Sequence, residues 1–329
     1  MFIGNVEVKG LARLAPMAGI SNAAFRMVAR ECGSELTTSE EIDAQGIFRK
    51  NTKTRYDIAK YLPEEKPIAL QILGADAETL VPGAQWLQDQ GADIIDLNMG
   101  CPVKKITKTG RGSALMKDVP KTAKILAAMR KAIDVPFTIK IRSGWDEKHL
   151  NAVEIAKMAE DVGIDAITVH PRTRSQQFSG LSKWEMIGQV VDAVNIPITG
   201  NGDVKSMADA RRMAAETGVE SVMIGRGAMG KPWVFDESFD ELDEQGKYEY
   251  QTRVINRHVQ LIMELFPEHV GLVQMQKHLS WYAGGRERVR SFRVELFGAG
   301  TYEETQGVFD RYWSSVDPSR IRQLDMAVV

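Results

Sequence analysis

Cysteine is nearly absent from this sequence: Cys32 and Cys101 are the only two in 329 residues. Two thiols cannot build a disulfide framework or a thiolate zinc site, which suits a reducing compartment, and no metal site is expected. Long apolar runs are also missing. None approaches the roughly 18 residues that cross a bilayer, and the N-terminal "MFIGNVEVKG" lacks the charged and apolar regions of a signal peptide. A cytoplasmic chain without a membrane partner is expected. Neither sign of charge dominates. With a formal net charge of -2, no global field draws nucleic acid, so an anionic partner must meet a local patch. There is no internal repeat beyond an alternation of short segments, and no low-complexity tract.

Eight short, β-rich apolar runs are present: residues 11–19, 35–40, 67–73, 93–98, 136–142, 166–170, 196–202 and 220–226. Segments of helical period lie between most of them. In "NAAFRMVARECG", Phe25, Val28, Ala29 and Cys32 share one face. "VPKTAKILAAMRKAI" begins at a proline suited to a first turn, and "AVEIAKMAEDVG" ends on a glycine suited to a C-cap. Strands apolar on both faces, alternating with helices, predict a parallel sheet covered by helices.

No G-x-G-x-x-G follows the first run, where an open dinucleotide-binding sheet needs one. Instead, polar or special residues end nearly every strand: Met17, Glu40, Gln71, Asn98, Lys140, His170, Asn201 and Arg226. A closed barrel gathers such ends at one mouth. The fold class expected is therefore α/β, a (β/α)8 TIM barrel over residues 1–238, followed by a smaller all-α domain over 239–329. The acidic "DESFDELDEQGK" is read as the linker.

The runs "PITGNGDV" and "SVMIGRGAMGKPWVF" each end in a glycine-bearing loop before a helical segment. Loops after barrel strands seven and eight often bind phosphate through backbone N–H groups. Gly200, Gly202, Gly225 and Gly227 permit close approach, and Arg226 adds a charged donor. Lys140 in "TIKIR" points inward, where a buried cation needs an anion or a chemical task. His170 and Asn201 share that mouth, and Gln71 both donates and accepts. Lysine, glutamine, histidine and a phosphate grip suit a planar heterocycle with a phosphate tail, a form that flavin mononucleotide (FMN) has. The opening "APMAG" at 15–19 offers small residues and free backbone for a flat ring.

Cys101 follows a strand end by three residues, between Gly100 and Pro102, in a turn that lifts its thiol into the mouth. Cys32, on an apolar helix face, behaves as a small hydrophobe. Two chemistries are open to Cys101: a nucleophilic pair with His170, or a general acid protonating carbon while a flavin donates hydride.

In order, "APMAG", "LQILG", "DIIDLNMGCPVKKITKTGRGSALM", "TIKIRSGW", "VHPRTR", "ITGNGDV" and "VMIGRGAMGKPW" resemble the tRNA-dihydrouridine synthase family, in its bacterial B type. The likeness runs from about Ile3 to Trp233, and "KHLSWY" at 277–282 extends it into the tail. It implies an FMN-bound barrel, NADPH as electron donor, and a C-terminal helical domain that docks tRNA. By position it implies that Cys101 donates a proton to C5 of uracil as hydride reaches C6. Pro16, Met17, Ala18, Gln71, Lys140, Asn201, Gly202, Asp203, Gly225 and Arg226 match the family's FMN contacts, and His170 matches a histidine near the flavin. Asn98 is expected to face the uracil, and Arg172 of the "HPRTR" motif to contact substrate. Pro171 stands where the family usually has glycine, which removes an N–H from that loop.

Between Gln274 and Arg293, five basic residues (Lys277, Arg286, Arg288, Arg290, Arg293) oppose only Glu287, with Trp281 and Tyr282 among them. Basic residues interleaved with aromatics suit phosphate contact and base stacking, so Lys277 and Arg286 are expected tRNA contacts. The target base must leave its stack to reach the mouth. A monomer without a protein partner is expected. The rivals are an FMN barrel acting on a free small molecule, which leaves the basic tail without a task, and an RNA-binding protein without catalysis, which leaves Cys101 and Lys140 without one.

Overall fold

The computed structural model describes residues 1–316. The chain divides into two compact units, one spanning Met1–Gly227 and the other beginning at Ala228. The first is a (β/α)8 barrel. Its strands are β1 (Ala12–Leu14), β2 (Thr37–Thr38), β3 (Ile68–Leu73), β4 (Ile94–Met99), β5 (Phe137–Arg142), β6 (Ala166–His170), β7 (Ile198–Asn201) and β8 (Ser221–Ile224). All are parallel, each paired with the next from β2 to β8, and β8 pairs with β1. A two-residue strand, Ile42–Asp43, adds to the end of β3. Seven of the eight runs expected to be strands contain one of these elements, and β4 extends one residue beyond its run, to Met99.

The covering helices are α1 (Ala23–Glu31), α2 (Ala44–Phe48), α3 (Ala77–Asp89), α4 (Lys104–Thr107), α5 (Val119–Ala132), α6 (Ala152–Val162), α7 (Glu185–Val191) and α8 (Met207–Thr217). Their ends follow from local chemistry. The Asn22 side chain accepts from the Phe25 N–H at 3.1 Å to cap α1, and Asp118 accepts from Lys121 N–H at 3.0 Å to cap α5, ahead of Pro120. Gly163 ends α6 at φ 89°, a left-handed conformation that glycine adopts without steric cost.

Every residue of β3 and β4 is buried, as expected of strands covered on both faces. An N-terminal hairpin, Phe2–Ile3 with Val6–Glu7, packs Ile3 and Val8 against Leu36, Ala69, Ile94 and Ala166 at the starts of the strands. One end of the barrel is thus filled with apolar side chains. The polar strand ends lie at the other.

The second unit holds α9 (Glu244–Leu265), α10 (Glu268–Tyr282), α11 (Val289–Gly298) and α12 (Tyr302–Ser315). Aromatic stacking knits it together: Phe292 on Tyr312 with centroids 4.1 Å apart, Phe309 on Trp313 at 5.2 Å, and Trp233 on both Phe239 (5.6 Å) and Tyr282 (5.8 Å). The stretch read as a linker contains a 3-10 helix, Glu237–Glu241, with Phe239 buried. Trp233 and Phe239 therefore belong to the packing of the helical unit, whose first residue lies ahead of the 238/239 division expected from the sequence.

Candidate functional site

The site is assembled by strand register. Asn98 of β4 lies opposite Lys140 of β5, Gln71 of β3 opposite Asp96 of β4, and His170 of β6 opposite Arg142 of β5. Side chains two apart on a strand share a face, so Asp96 and Asn98, and likewise Lys140 and Arg142, point into the barrel together.

A buried polar chain follows. Gln71 Nε2 donates to Asp96 Oδ2 at 2.7 Å, and Thr138 Oγ1 donates to Asp96 Oδ1 at 2.6 Å. Asn98 Nδ2 donates to Gln71 Oε1 at 2.8 Å and to Glu41 Oε2 at 3.2 Å. The amide oxygen of Asn98 accepts from the Gly100 N–H at 3.1 Å and the Cys101 N–H at 2.9 Å, which fixes the turn carrying the thiol. On its other side, the Cys101 carbonyl accepts from the N–H and hydroxyl of Ser113 at 3.1 and 3.0 Å. A Cβ on Gly112, at φ 60°, would come within 2.8 Å of that carbonyl. Only glycine fits there.

The Cys101 thiol is half-buried, and burial pushes its pKa up to about 11, with the neighbouring Glu41 carboxyl adding to the rise. The Val103 N–H and Arg142 act the other way without reversing it. Cys101 is therefore protonated throughout the neutral range. A nucleophilic cysteine has the opposite setting, its pKa lowered by an adjacent imidazolium or cation. His170 cannot provide that: it is 7% exposed, and burial together with Arg142, Lys140, Arg172 and Arg226 holds its pKa well below the usual value, so it stays neutral.

Lys140 Nζ donates to Asn201 Oδ1 at 2.9 Å, and Asn201 Nδ2 donates to the Met223 carbonyl at 2.8 Å. Burial, and after it Arg142, lower the Lys140 pKa to about 8 against the pull of Asp96. The ammonium is thus poised to gain an electron-rich partner. Arg172 Nη2 pairs with both oxygens of Asp203 at 2.9 and 2.8 Å, and Arg226 approaches the same carboxylate at 3.6 Å. Asp203 holds φ 56° in the loop after β7, and its other contact is the Ser182 N–H at 2.8 Å. A Cβ on the adjacent Gly202 would lie 2.9 Å from the His170 ring. Gly225 opens the loop after β8 toward the first strand, where a Cβ would meet Ala15 and the Met17 sulfur at 3.6 Å. Pro16 and Met17 are half-buried and Ala18 is exposed, in a turn closed by Met17 N–H to Ser21 Oγ at 2.8 Å.

These residues fit a phosphorylated planar cofactor. Lys140, Arg142, Arg172 and Arg226 surround His170, with Asp203 the carboxylate paired to Arg172 and Arg226. Arg172 Nη1 is buried with no hydrogen-bond partner among the described residues. A cluster of cations with one carboxylate between them is the electrostatic complement of a phosphate. Pro171 does not disrupt the loop: the Arg172 carbonyl accepts from Ser143 N–H at 3.4 Å, and Arg174 N–H donates to Gly144 at 2.9 Å.

Of the expected site residues, the structure brings together Gln71, Asn98, Cys101, Lys140, His170, Asn201, Gly202, Asp203, Gly225 and Arg226, with the Pro16–Ala18 turn beside Gly225. Arg172 is buried within the same cluster, its guanidinium on Asp203. Lys277 and Arg286 lie in the helical unit. Lys277 sits over the Trp281 ring at 5.7 Å. Arg286 is only 5% exposed, stacked on Trp313 at 3.9 Å and donating to Gln251 at 2.7 Å, so its charge is spent inside the helical packing. Arg288 and Arg290 are the exposed cations of that stretch. Sequence reading passed over Glu41, Asp96 and Arg142. Asp96 and Arg142 carried a signal, being two residues from Asn98 and Lys140 on inward faces. Glu41 carried none that set it apart from Glu40.

Comparison with known proteins bears directly on this arrangement. The family model described as Dihydrouridine synthase (Dus) matches residues 13–312. The chain belongs to the dihydrouridine synthase family. The resemblance read from the sequence is thereby borne out, and with it the expectation of an enzyme. The chain is 37% identical over 321 residues to the tRNA-dihydrouridine synthase B of Shewanella oneidensis, covering 96% of this chain and 99% of that protein. It is also 37% identical over 301 residues to the tRNA-dihydrouridine synthase B of Pseudomonas aeruginosa, covering 89% and 90%. Two solved structures share the fold at low identity. Histamine dehydrogenase from Rhizobium sp. 4-9 aligns with a TM-score of 0.56 at 11% identity, over 79% of this chain and 50% of that one. A 2-naphthoyl-CoA reductase aligns with a TM-score of 0.58 at 13% identity, over 75% and 52%.

Proposed function

We propose that this chain reduces uridines in tRNA to 5,6-dihydrouridine, with FMN as cofactor and NADPH as electron donor. The observation that carries this reading is the placement of Cys101, its turn held by Asn98 and Ser113 at the mouth that also contains Lys140, Asn201 and the cations around His170. Bound FMN would supply hydride to C6 of the uracil ring. Saturating the C5=C6 bond then needs one proton at C5, where negative charge develops. Cys101 delivers it: the Sγ–H bond breaks, a C5–H bond forms, and solvent later restores the thiol. Asn98, tied to Gln71 and Glu41, fixes the turn beneath the thiol and meets the substrate ring. Arg172 and Arg226, oriented by the Asp203 carboxylate, would hold the cofactor's phosphate end with the backbone of Gly202 and Gly225, and His170 and Gln71 would line the site of its ring system. Lys140 would offset negative charge on that ring system.

The barrel is the catalytic domain in this reading and the helical unit docks tRNA, with Lys277 and the exposed Arg288 and Arg290 as phosphate contacts. A cytoplasmic monomer completes the reading. Among the described residues no helix is long and apolar enough to cross a membrane. The experiment is direct: purify the protein, release and identify its flavin, and assay dihydrouridine in unmodified tRNA and in free uridine with NADPH. Expected are FMN near one per chain and product in tRNA alone. A flavin-free preparation, or equal activity on free uridine, contradicts the proposal.

A further inference from the structure

Glu41 sits where the mouth has no evident need for a carboxylate. It follows β2 and acts on the thiol electrostatically: Asn98 Nδ2 reaches its Oε2 at 3.2 Å, and the same Asn98 side chain accepts from the Cys101 N–H at 2.9 Å. One asparagine thus holds acid and carboxylate in a fixed relation, and Gln71 holds the asparagine at 2.8 Å.

We propose that Glu41 is a positioning residue for Cys101, keeping its sulfur protonated and its S–H directed while the site waits for substrate. The inference rests on the reading of Cys101 as the proton donor to C5. The physical reason is charge. A thiolate beside a carboxylate is a like-charge pair in a partly buried site, so the neutral thiol is favoured. Burial is the larger contributor to the raised thiol pKa and Glu41 the next. The other groups facing the pair do not cancel this. Arg142 from β5 faces the thiol and favours its ionised form. Arg111 favours the Glu41 carboxylate, and its Nη1 is tied to Asp43 at 3.1 Å. Glu40 and Asp43 oppose ionisation of Glu41, as burial does more strongly.

The step balances without a further reactant. Cys101 loses its proton to C5, and the thiolate left beside Glu41 is destabilised and recovers a proton from solvent, resetting the acid. An exposed-mouth cysteine without such a partner would be part thiolate at mildly alkaline pH, open to oxidation and unable to donate.

The test is the pH dependence of Cys101 alkylation by iodoacetamide in the flavin-loaded protein without tRNA, read by peptide mass spectrometry. Expected for Glu41→Gln, which keeps size and hydrogen bonding but not charge, is a profile displaced by about one pH unit or more to the acid side, so that alkylation at pH about 8 is roughly tenfold faster. Glu41→Asp, which keeps the charge, is expected within about threefold of wild type. A wild-type profile in folded Glu41→Gln overturns the proposal. Should Glu41→Gln fail to fold, a tenfold acceleration in Glu41→Asp overturns it instead. Because no tRNA is present, these outcomes stand apart from the catalytic reading, which fails separately if Cys101→Ala reduces tRNA at the wild-type rate.

Discussion

The two cysteines are the same residue in two parts of one barrel, and their surroundings give them opposite lives. Cys32 ends α1 with its N–H bonded to the Val28 carbonyl at 3.0 Å, and it is 3% exposed. Cys101 lies in a loop beyond β4, its backbone gripped by Asn98 and Ser113 and its sulfur facing Glu41 and Arg142. Near-complete burial on a helix makes the first a packing unit. Partial burial with charged neighbours makes the second a titratable tool. Chemistry at this mouth comes from what surrounds a residue type rather than from the type alone.

The sharpest way to break the comparison is to remove each thiol. Cys101→Ala is expected to keep FMN and accept electrons from NADPH, while dihydrouridine formation in tRNA falls by roughly 10²–10⁴, the usual worth of a positioned general acid. The matched Cys32→Ala should leave that rate unchanged. Lys140→Ala comes next. Loss of a buried cation from the cofactor side should slow flavin reduction by NADPH by about tenfold or more, measured by stopped-flow absorbance, with little change in thermal stability.

The same contrast between a buried and a working side chain recurs among the arginines of the helical unit. Arg286→Ala removes a buried stack and hydrogen bond and is expected to cost about 2–4 kcal/mol of stability. Arg290→Glu should leave stability intact and weaken tRNA binding. It should also lower the slope of log affinity against log salt by about 0.9 on duplex for each phosphate that is no longer neutralised. The smallest effect belongs to Cys32→Ala, about 1 kcal/mol from poorer packing, read from denaturant midpoints.

Most of this architecture was legible. Each of the eight barrel strands was visible as a β-rich run, because parallel strands covered on both faces have no polar side to interrupt them. The Phe2–Glu7 hairpin escaped, since two-residue strands carry no periodicity. So did α11, whose arginine-rich start reads only as a tRNA-contacting stretch, while the helix itself buries Phe292 and Leu296. At the site, Gln71, Asn98, Lys140 and His170 announced themselves as polar residues ending apolar strands. Glu41 could not, because its importance lies in which residue of another loop it faces. Arg286 read as a surface cation for the same reason, its partners Gln251 and Trp313 being far away in sequence.

The central claim is that Cys101 acts as an acid and not as a nucleophile, and the pH dependence of a single turnover tests it most directly. Flavin in the holoenzyme is first reduced, and its reoxidation by excess unmodified tRNA is then followed between pH about 7.5 and 9.5, a range below the raised thiol pKa of about 11. The rate is expected not to rise across that range, because the thiol stays protonated throughout, while loss of the Lys140 proton around pH 8 lowers it. A rate that climbs about tenfold per pH unit would mean that the thiolate does the work, and would contradict the mechanism.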